Sequence, residues 1–230
     1  MVPLHGKKQI WLVYLRKHNE KEGFFWSTTI KKNFSLKKKN LKKFLKDQKI
    51  KNFFNNKKRK IIIEIGPGIG ENLFYLANKY PRKKVIGVEP FKNGLANIAD
   101  VCITNKIKNV YLFPHVFQKF IDKFKNYFFD QCYIFFPDPW PKKKHMKRRL
   151  VNYIFLNELV LRCSSKGSIF FCSDNLDYFE KVKNYANVLK KKGSKILVKS
   201  YKKTPTIVTK YHNRALKLRN NVNFLKIDKI

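Results

Sequence analysis

Acidic residues are scarce: 15 Asp and Glu stand against 52 Lys and Arg in 230 residues, a formal net charge of +37. A pI near 10.1 points to an anionic partner, nucleic acid first. The excess is mostly Lys, accompanied by Asn, Ile and Phe, a mixture that an AT-rich genome also produces. Local clusters that join Arg to aromatic residues are therefore better guides than the total. Long apolar runs are missing too, and none approaches the roughly 18 residues of a membrane span. The early run Ile10–Leu15 is too short for the core of a signal peptide. The four cysteines lie far apart with no CxxC pair, which excludes a zinc ribbon and a disulfide framework. Three sit in apolar stretches, as reduced core thiols of a cytosolic protein would. The five histidines are scattered, none with a Cys or His at metal-ligand spacing.

What remains is apolar enough to fold. Hydrophobic residues make up 43% and aromatic ones 15%, with a mean hydropathy of −0.46, too apolar for a disordered polycation. The length fits one domain with a short appendage, expected to act as a monomer. Residues 1–60 are basic and irregular, with only Glu20, Glu22 and Asp47 as acids, and no repeats are visible. Leu41, Phe44, Leu45 and Ile50 predict a short amphipathic helix over Lys37–Ile50.

From Ile61 the texture changes, so the chain reads as a basic extension, 1–60, and a catalytic domain, 61–230. Apolar runs predict strands at Ile61–Ile65, Val85–Val88, Val110–Phe113, Cys132–Phe136, Ile169–Cys172, Ile196–Val198 and Val222–Ile227. Helical spacing lies between them, near Leu73–Ala77 and over Asn93–Thr104, Leu150–Cys163 and Tyr178–Leu189. Such alternation predicts an α/β fold, a mostly parallel Rossmann-like sheet with helices on both faces. Ligands bind such sheets at the carboxyl ends of the strands.

The first strand runs into Glu64-Ile65-Gly66-Pro67-Gly68-Ile69-Gly70-Glu71. Its glycines let the backbone turn tightly and approach a nucleotide-like ligand. A dinucleotide fingerprint needs glycine where Glu71 stands, which disfavours NAD. An adenosyl ligand without a pyrophosphate suits the loop better. Glu89 ends the second strand, 23 residues beyond Gly66, where a carboxylate can accept both ribose hydroxyls. Glu64 lies among isoleucines and needs a cationic or N–H partner, a role the ammonium of a methionine moiety can fill.

The most specific stretch is Phe135-Phe136-Pro137-Asp138-Pro139-Trp140-Pro141, followed by six cations between Lys142 and Arg149. Asp138 is held between two φ-restricted prolines at a strand end, with Trp140 beside it. The cations read as a phosphate-gripping loop beside a stacking platform. A proline-stiffened turn with a solvated charge run would require neither the Asp nor the Trp.

This segment resembles the signature of bacterial tRNA (guanine-N7)-methyltransferases, the TrmB family. Glu64–Gly70, Gly87-Val88-Glu89, Ser173-Asp174 and Thr209-Lys210-Tyr211 match in family order. The resemblance implies a seven-stranded class I methyltransferase sheet with an antiparallel last strand, S-adenosylmethionine as cofactor and tRNA as substrate. It also implies transfer of a methyl group to N7 of a variable-loop guanine, in the cytoplasm. By the same resemblance Glu64, Gly66, Gly68, Glu89 and Asp138 contact the cofactor, with Asp138 also catalytic. Lys142, Asp174, Thr209, Lys210, Tyr211 and His212 contact substrate. Three departures stand out. Pro114-His115-Val116-Phe117 follows the third strand without the expected acid, His212 replaces a Glu, and no arginine-rich motif is recognisable in residues 1–60. His212 is expected on the loop before the last strand, facing the guanine pocket, and Arg148 and Arg149 are expected to touch phosphate or base. Two other classes stay open: a non-catalytic tRNA-binding protein on a decayed scaffold, and a nicotinamide oxidoreductase. The second lacks a His or Tyr–Lys proton relay.

Overall fold

The computed structural model describes residues 28–48, 50–54 and 60–230. The chain divides into two units, Met1–Leu36 and Lys37–Ile230. The irregular reading of residues 1–27 lies outside the described residues. Helix α1 is Thr28–Asp47, longer than the expected Lys37–Ile50, because no Gly or Pro interrupts it. A 3₁₀ turn, Ile50–Phe53, follows.

The rest alternates: β1 (Ile61–Ile65), α2 (Glu71–Lys79), β2 (Lys84–Val88), α3 (Lys92–Thr104), β3 (Val110–Phe113), α4 (Phe117–Lys123) and β4 (Phe129–Phe135). A 3₁₀ segment, Lys143–Arg148, leads to α5 (Tyr153–Arg162), β5 (Cys163–Ser173), α6 (Leu176–Lys191), β6 (Ile196–Tyr201), α7 (Lys210–Lys217) and β7 (Asn223–Lys229). All seven expected strands are present, in one sheet of order β3-β2-β1-β4-β5-β7-β6. Neighbours are parallel except that β7 runs antiparallel between β5 and β6.

Two helices were not legible in the sequence. Helix α4 carries Phe117 and Phe120 into an aromatic cluster with Phe113, Phe124 and Tyr127, which fixes the end of β3. Each ring pair adds about 0.5–1.5 kcal/mol beyond its area burial. Helix α7 corrects the expected loop at Thr209–His212. The Thr209 hydroxyl accepts the His212 N–H at 3.3 Å, and this cap starts a helix that turns His212 and Ala215 inward.

The free edge of β3 is closed by a side chain. The Gln48 amide donates to Leu112 O at 2.5 Å and accepts from Leu112 N at 2.8 Å, mimicking a neighbouring strand. One sheet face, through Ile61, Ile63, Ile65, Cys132, Ile134, Ile169 and Phe171, makes the main core. The loops after β1, β2, β3, β4 and β5 all emerge at the carboxyl edge, and every motif singled out above lies there or on α7.

Candidate active site

The loop after β1 is shaped by backbone conformations that side chains disfavour. Gly66, Gly68 and Gly70 have φ of 76°, 58° and 94°. Gly66 N–H donates to Val88 O at 2.9 Å, joining the loop to the end of β2. A side chain at Gly66 would meet nothing within 4 Å, so the space above the loop is open. The loop rests on α3 through Gly94, where an added Cβ would stand 2.3 Å from Gly68 O. Gly94 was missed in the sequence, although a glycine inside a helix one turn past Glu89 was the available signal.

Glu89 ends β2 as expected. Its Oε2 accepts Gly68 N–H at 3.0 Å and its Oε1 accepts Phe91 N–H at 2.9 Å. Each oxygen keeps a lone pair for a ligand hydroxyl. Glu64 is only 3% exposed. Asn72 donates to its Oε1 at 3.0 Å, supplying the expected N–H partner, while Oε2 is buried with no hydrogen bond. Burial lifts its pKa to about 8, against the pull of Asn72 and with a further push from Glu89. An orphaned carboxylate oxygen, an acid at the end of β2 and an open glycine cradle fit a ligand carrying a vicinal diol and a cationic group. Beyond β3, His115 is exposed, and its N–H shares Phe113 O with the N–H of Glu89, so an imidazole stands where the acid was expected.

After β4 the chain turns sharply. Phe136 and Trp140 take positive φ, 49° and 39°, so the strand ends at Phe135 and Asp138 sits exposed in a strained bracket. The guanidinium of Arg148 lies 5.0 Å over the Trp140 ring, and His145 meets the ring edge-on at 5.8 Å. Lys142 is exposed. Arg149 corrects the expectation of a phosphate contact: its side chain is buried beneath the loop. Asp174, after β5, accepts from Asn220 at 3.1 Å.

Helix α7 joins these parts. Glu71 accepts Lys210 N–H at 2.7 Å, tying the substrate motif to the start of α2. Tyr211 stacks near Phe136 at 6.4 Å and reaches within 3.7 Å of the Cβ position of Gly68. His212 lies between Phe136 and Phe224, 6.0 and 5.6 Å away, and is 8% exposed. Burial lowers its pKa from the ordinary 6.5, so the imidazole stays neutral through the physiological range. Below pH 6.5 the unfolded chain gains a proton that the folded chain refuses. Stability from this site is therefore whole above that pH and lost on acidification. Between pH 7.5 and 5.5 the parent should lose more melting temperature than His212→Phe. Parallel losses in the two proteins would remove His212 as an acid-sensitive group.

Known proteins align with this arrangement. The family model Methyltransf_4, described as "Putative methyltransferase", matches residues 58–225. A tRNA (guanine-N(7)-)-methyltransferase of Wolbachia pipientis wMel is 34% identical over 175 residues, 76% of this chain and 77% of that protein. A bifunctional methyltransferase of Rickettsia typhi is 34% identical over 75% of this chain, a match that spans 33% of that longer protein. Among solved structures, a precorrin-6y C5,15-methyltransferase from Geobacter metallireducens shares the fold with a TM-score of 0.52 at 17% identity, covering 84% of this chain and 87% of that one. The chain that carries this glycine cradle, these strand-end acids and this Pro-Asp-Pro-Trp bracket belongs to the family of the tRNA (guanine-N7)-methyltransferases.

Proposed function

We propose that this protein transfers a methyl group from S-adenosylmethionine to N7 of a guanine in the variable loop of tRNA, forming 7-methylguanosine. The observation that carries the reading is the glycine cradle and Glu89 beside the Asp138–Trp140 bracket at one sheet edge, in a chain of this family. The catalytic domain is taken as residues 61–230, with 1–60 as a basic extension. We take the protein to act as a monomer in the cytoplasm, where its tRNA substrate is found. A decayed, non-catalytic scaffold is not favoured, because the relatives are named methyltransferases and Glu64, Glu89 and Asp138 all stand at the sheet edge.

Bound in the cradle, S-adenosylmethionine supplies a methyl carbon made electrophilic by its sulfonium. Guanine N7 has an in-plane lone pair and no proton to lose, so the chain needs no general base. Its residues must align the base with the cofactor and offset the positive charge that grows on the purine. We assign the second task to Asp138. Glu89 holds the ribose, with Gly66 and Gly68 admitting the cofactor and Glu64 facing its cationic end. Asp174, Lys142, Lys210 and Tyr211 hold the substrate, the buried Thr209 and His212 seat the helix that presents the last two, and Trp140 offers a stacking face. Among the described residues no group of His, Cys, Asp and Glu could hold a metal ion.

Glu89→Ala should weaken binding of S-adenosylhomocysteine by about 1.5–3 kcal/mol, the range for hydrogen bonds to charged groups. Calorimetry with unchanged affinity would remove Glu89 from the site. Replacing the exposed Lys142, Lys147 and Arg148 by Ala should flatten the salt dependence of tRNA binding, each lost phosphate contact lowering the log–log slope by about 0.7–0.9. An unchanged slope would make the loop a solvated charge run. The reading as a whole is tested with tRNA in which the variable-loop guanosine is replaced by 7-deazaguanosine. Methyl acceptance should vanish while binding persists; continued acceptance would refute N7 as the target.

A further inference from the structure

Six cations follow Trp140, and one of them behaves unlike the others. Lys142, Lys143, Lys144, Lys147 and Arg148 are exposed, whereas the side chain of Arg149 is only 5% exposed. Its Nε donates to Pro139 O at 2.7 Å. Its Nη1 lies 2.7 Å from Asp177 Oδ2, close enough for an ion pair though off the N–H direction. The guanidinium also lies 4.8 Å over the ring of Tyr178. Tyr178 is itself fixed, since its hydroxyl accepts Val151 N–H at 2.8 Å and its N–H is capped by Asn175 at 2.8 Å.

A guanidinium is suited to this place because its planar fork can serve a carbonyl, a carboxylate and a ring face at once. The carbonyl it holds belongs to the residue after Asp138. The helix it holds, α6, begins just beyond Ser173-Asp174. The strained φ of Phe136 and Trp140 on either side of Asp138 must be held by contacts elsewhere, and the two prolines cannot donate a backbone N–H.

We propose that Arg149 is a positioning residue for Asp138: buried beneath the basic loop, it clips the Pro139 carbonyl to the head of α6 and so fixes the spacing between the Asp138 and Asp174 segments. The inference rests on the methyltransferase reading for its effect on turnover, but the clip itself is a property of the fold. A charge buried this way gives little to RNA affinity, so its loss should leave the electrostatic footprint untouched.

The test compares Arg149→Met and Asp177→Asn with the parent. Asp177 is half exposed, at 51%, so its variant keeps the proposal testable even where Arg149→Met does not fold. Amide hydrogen exchange should quicken in residues 138–150 and stay unchanged in β1 and α3. In tRNA methylation, normalised to protein that binds S-adenosylhomocysteine, kcat should fall about tenfold or more, while KM for tRNA and the salt slope of binding stay within error of the parent. Unchanged exchange in the loop overturns the clip. Quickened exchange with parental kcat overturns its role in positioning, and a lowered salt slope for Arg149→Met makes it a phosphate contact instead. A parent that does not methylate guanine N7 would sink the functional reading alone, since the exchange result stands without turnover.

Discussion

Asp138→Asn should fold and bind tRNA nearly as the parent does, yet turn over roughly 10²-fold more slowly. Asp138 is exposed at the end of β4, so its change removes no buried partner and leaves no cavity. Its place is set by backbone, through the strained residues Phe136 and Trp140 and the hydrogen bond from Arg149 to Pro139. An amide keeps the shape of the carboxylate and loses its charge. The substitution therefore isolates the electrostatic support for a purine that becomes cationic during transfer. A variant at the parental rate, with 7-methylguanosine still formed, would assign that support to another group.

Gly94→Ala should be as damaging to the cofactor site as any change that touches no ligand. The added Cβ would stand 2.3 Å from Gly68 O and 3.0 Å from its carbon, both backbone atoms that cannot rotate away. Either α3 or the glycine loop must shift. The helix is held by Leu95, Ile98 and Ala99, all fully buried, so the loop is the part that yields. Overpacking of this kind costs about 1–3 kcal/mol, which, if borne by the cradle, lowers affinity for S-adenosylhomocysteine about tenfold to a hundredfold. Gly94→Ala with parental affinity would mean that the loop accommodates the methyl without losing its ligand contacts.

The sheet was legible in the sequence because its signals are local. Val110–Phe113 is an unbroken apolar run and Ile61–Ile65 is broken only by Glu64, and the structure returns both with the expected bounds. Boundaries went astray where one residue's conformation decides them. The positive φ of Phe136 stops β4 at Phe135, and the Asn152 side chain, accepting from Phe155 N–H, delays α5 to Tyr153. Helix α7 was hidden by its charges, since only His212 and Ala215 face inward and the Thr209 cap is a single hydroxyl. Within the site, residues defined by spacing along the chain were found: the glycines, Glu89 and Asp138. Those defined by contacts across it were not. Nothing in the run Lys142–Arg149 separates the buried Arg149 from its exposed neighbours, and nothing near Glu71 announces its bond to Lys210, 139 positions later. The expected phosphate contact at Arg149 failed for the same reason, because composition records charge and not the direction in which a side chain points.

The central claim concerns which atom receives the methyl group. The direct measurement is transfer from labelled S-adenosylmethionine to unmodified tRNA, followed by digestion and separation of the nucleosides. Label should appear in 7-methylguanosine and in no other nucleoside. Label in a different methylated nucleoside, or none above the level of an Asp138→Asn control, would contradict the account.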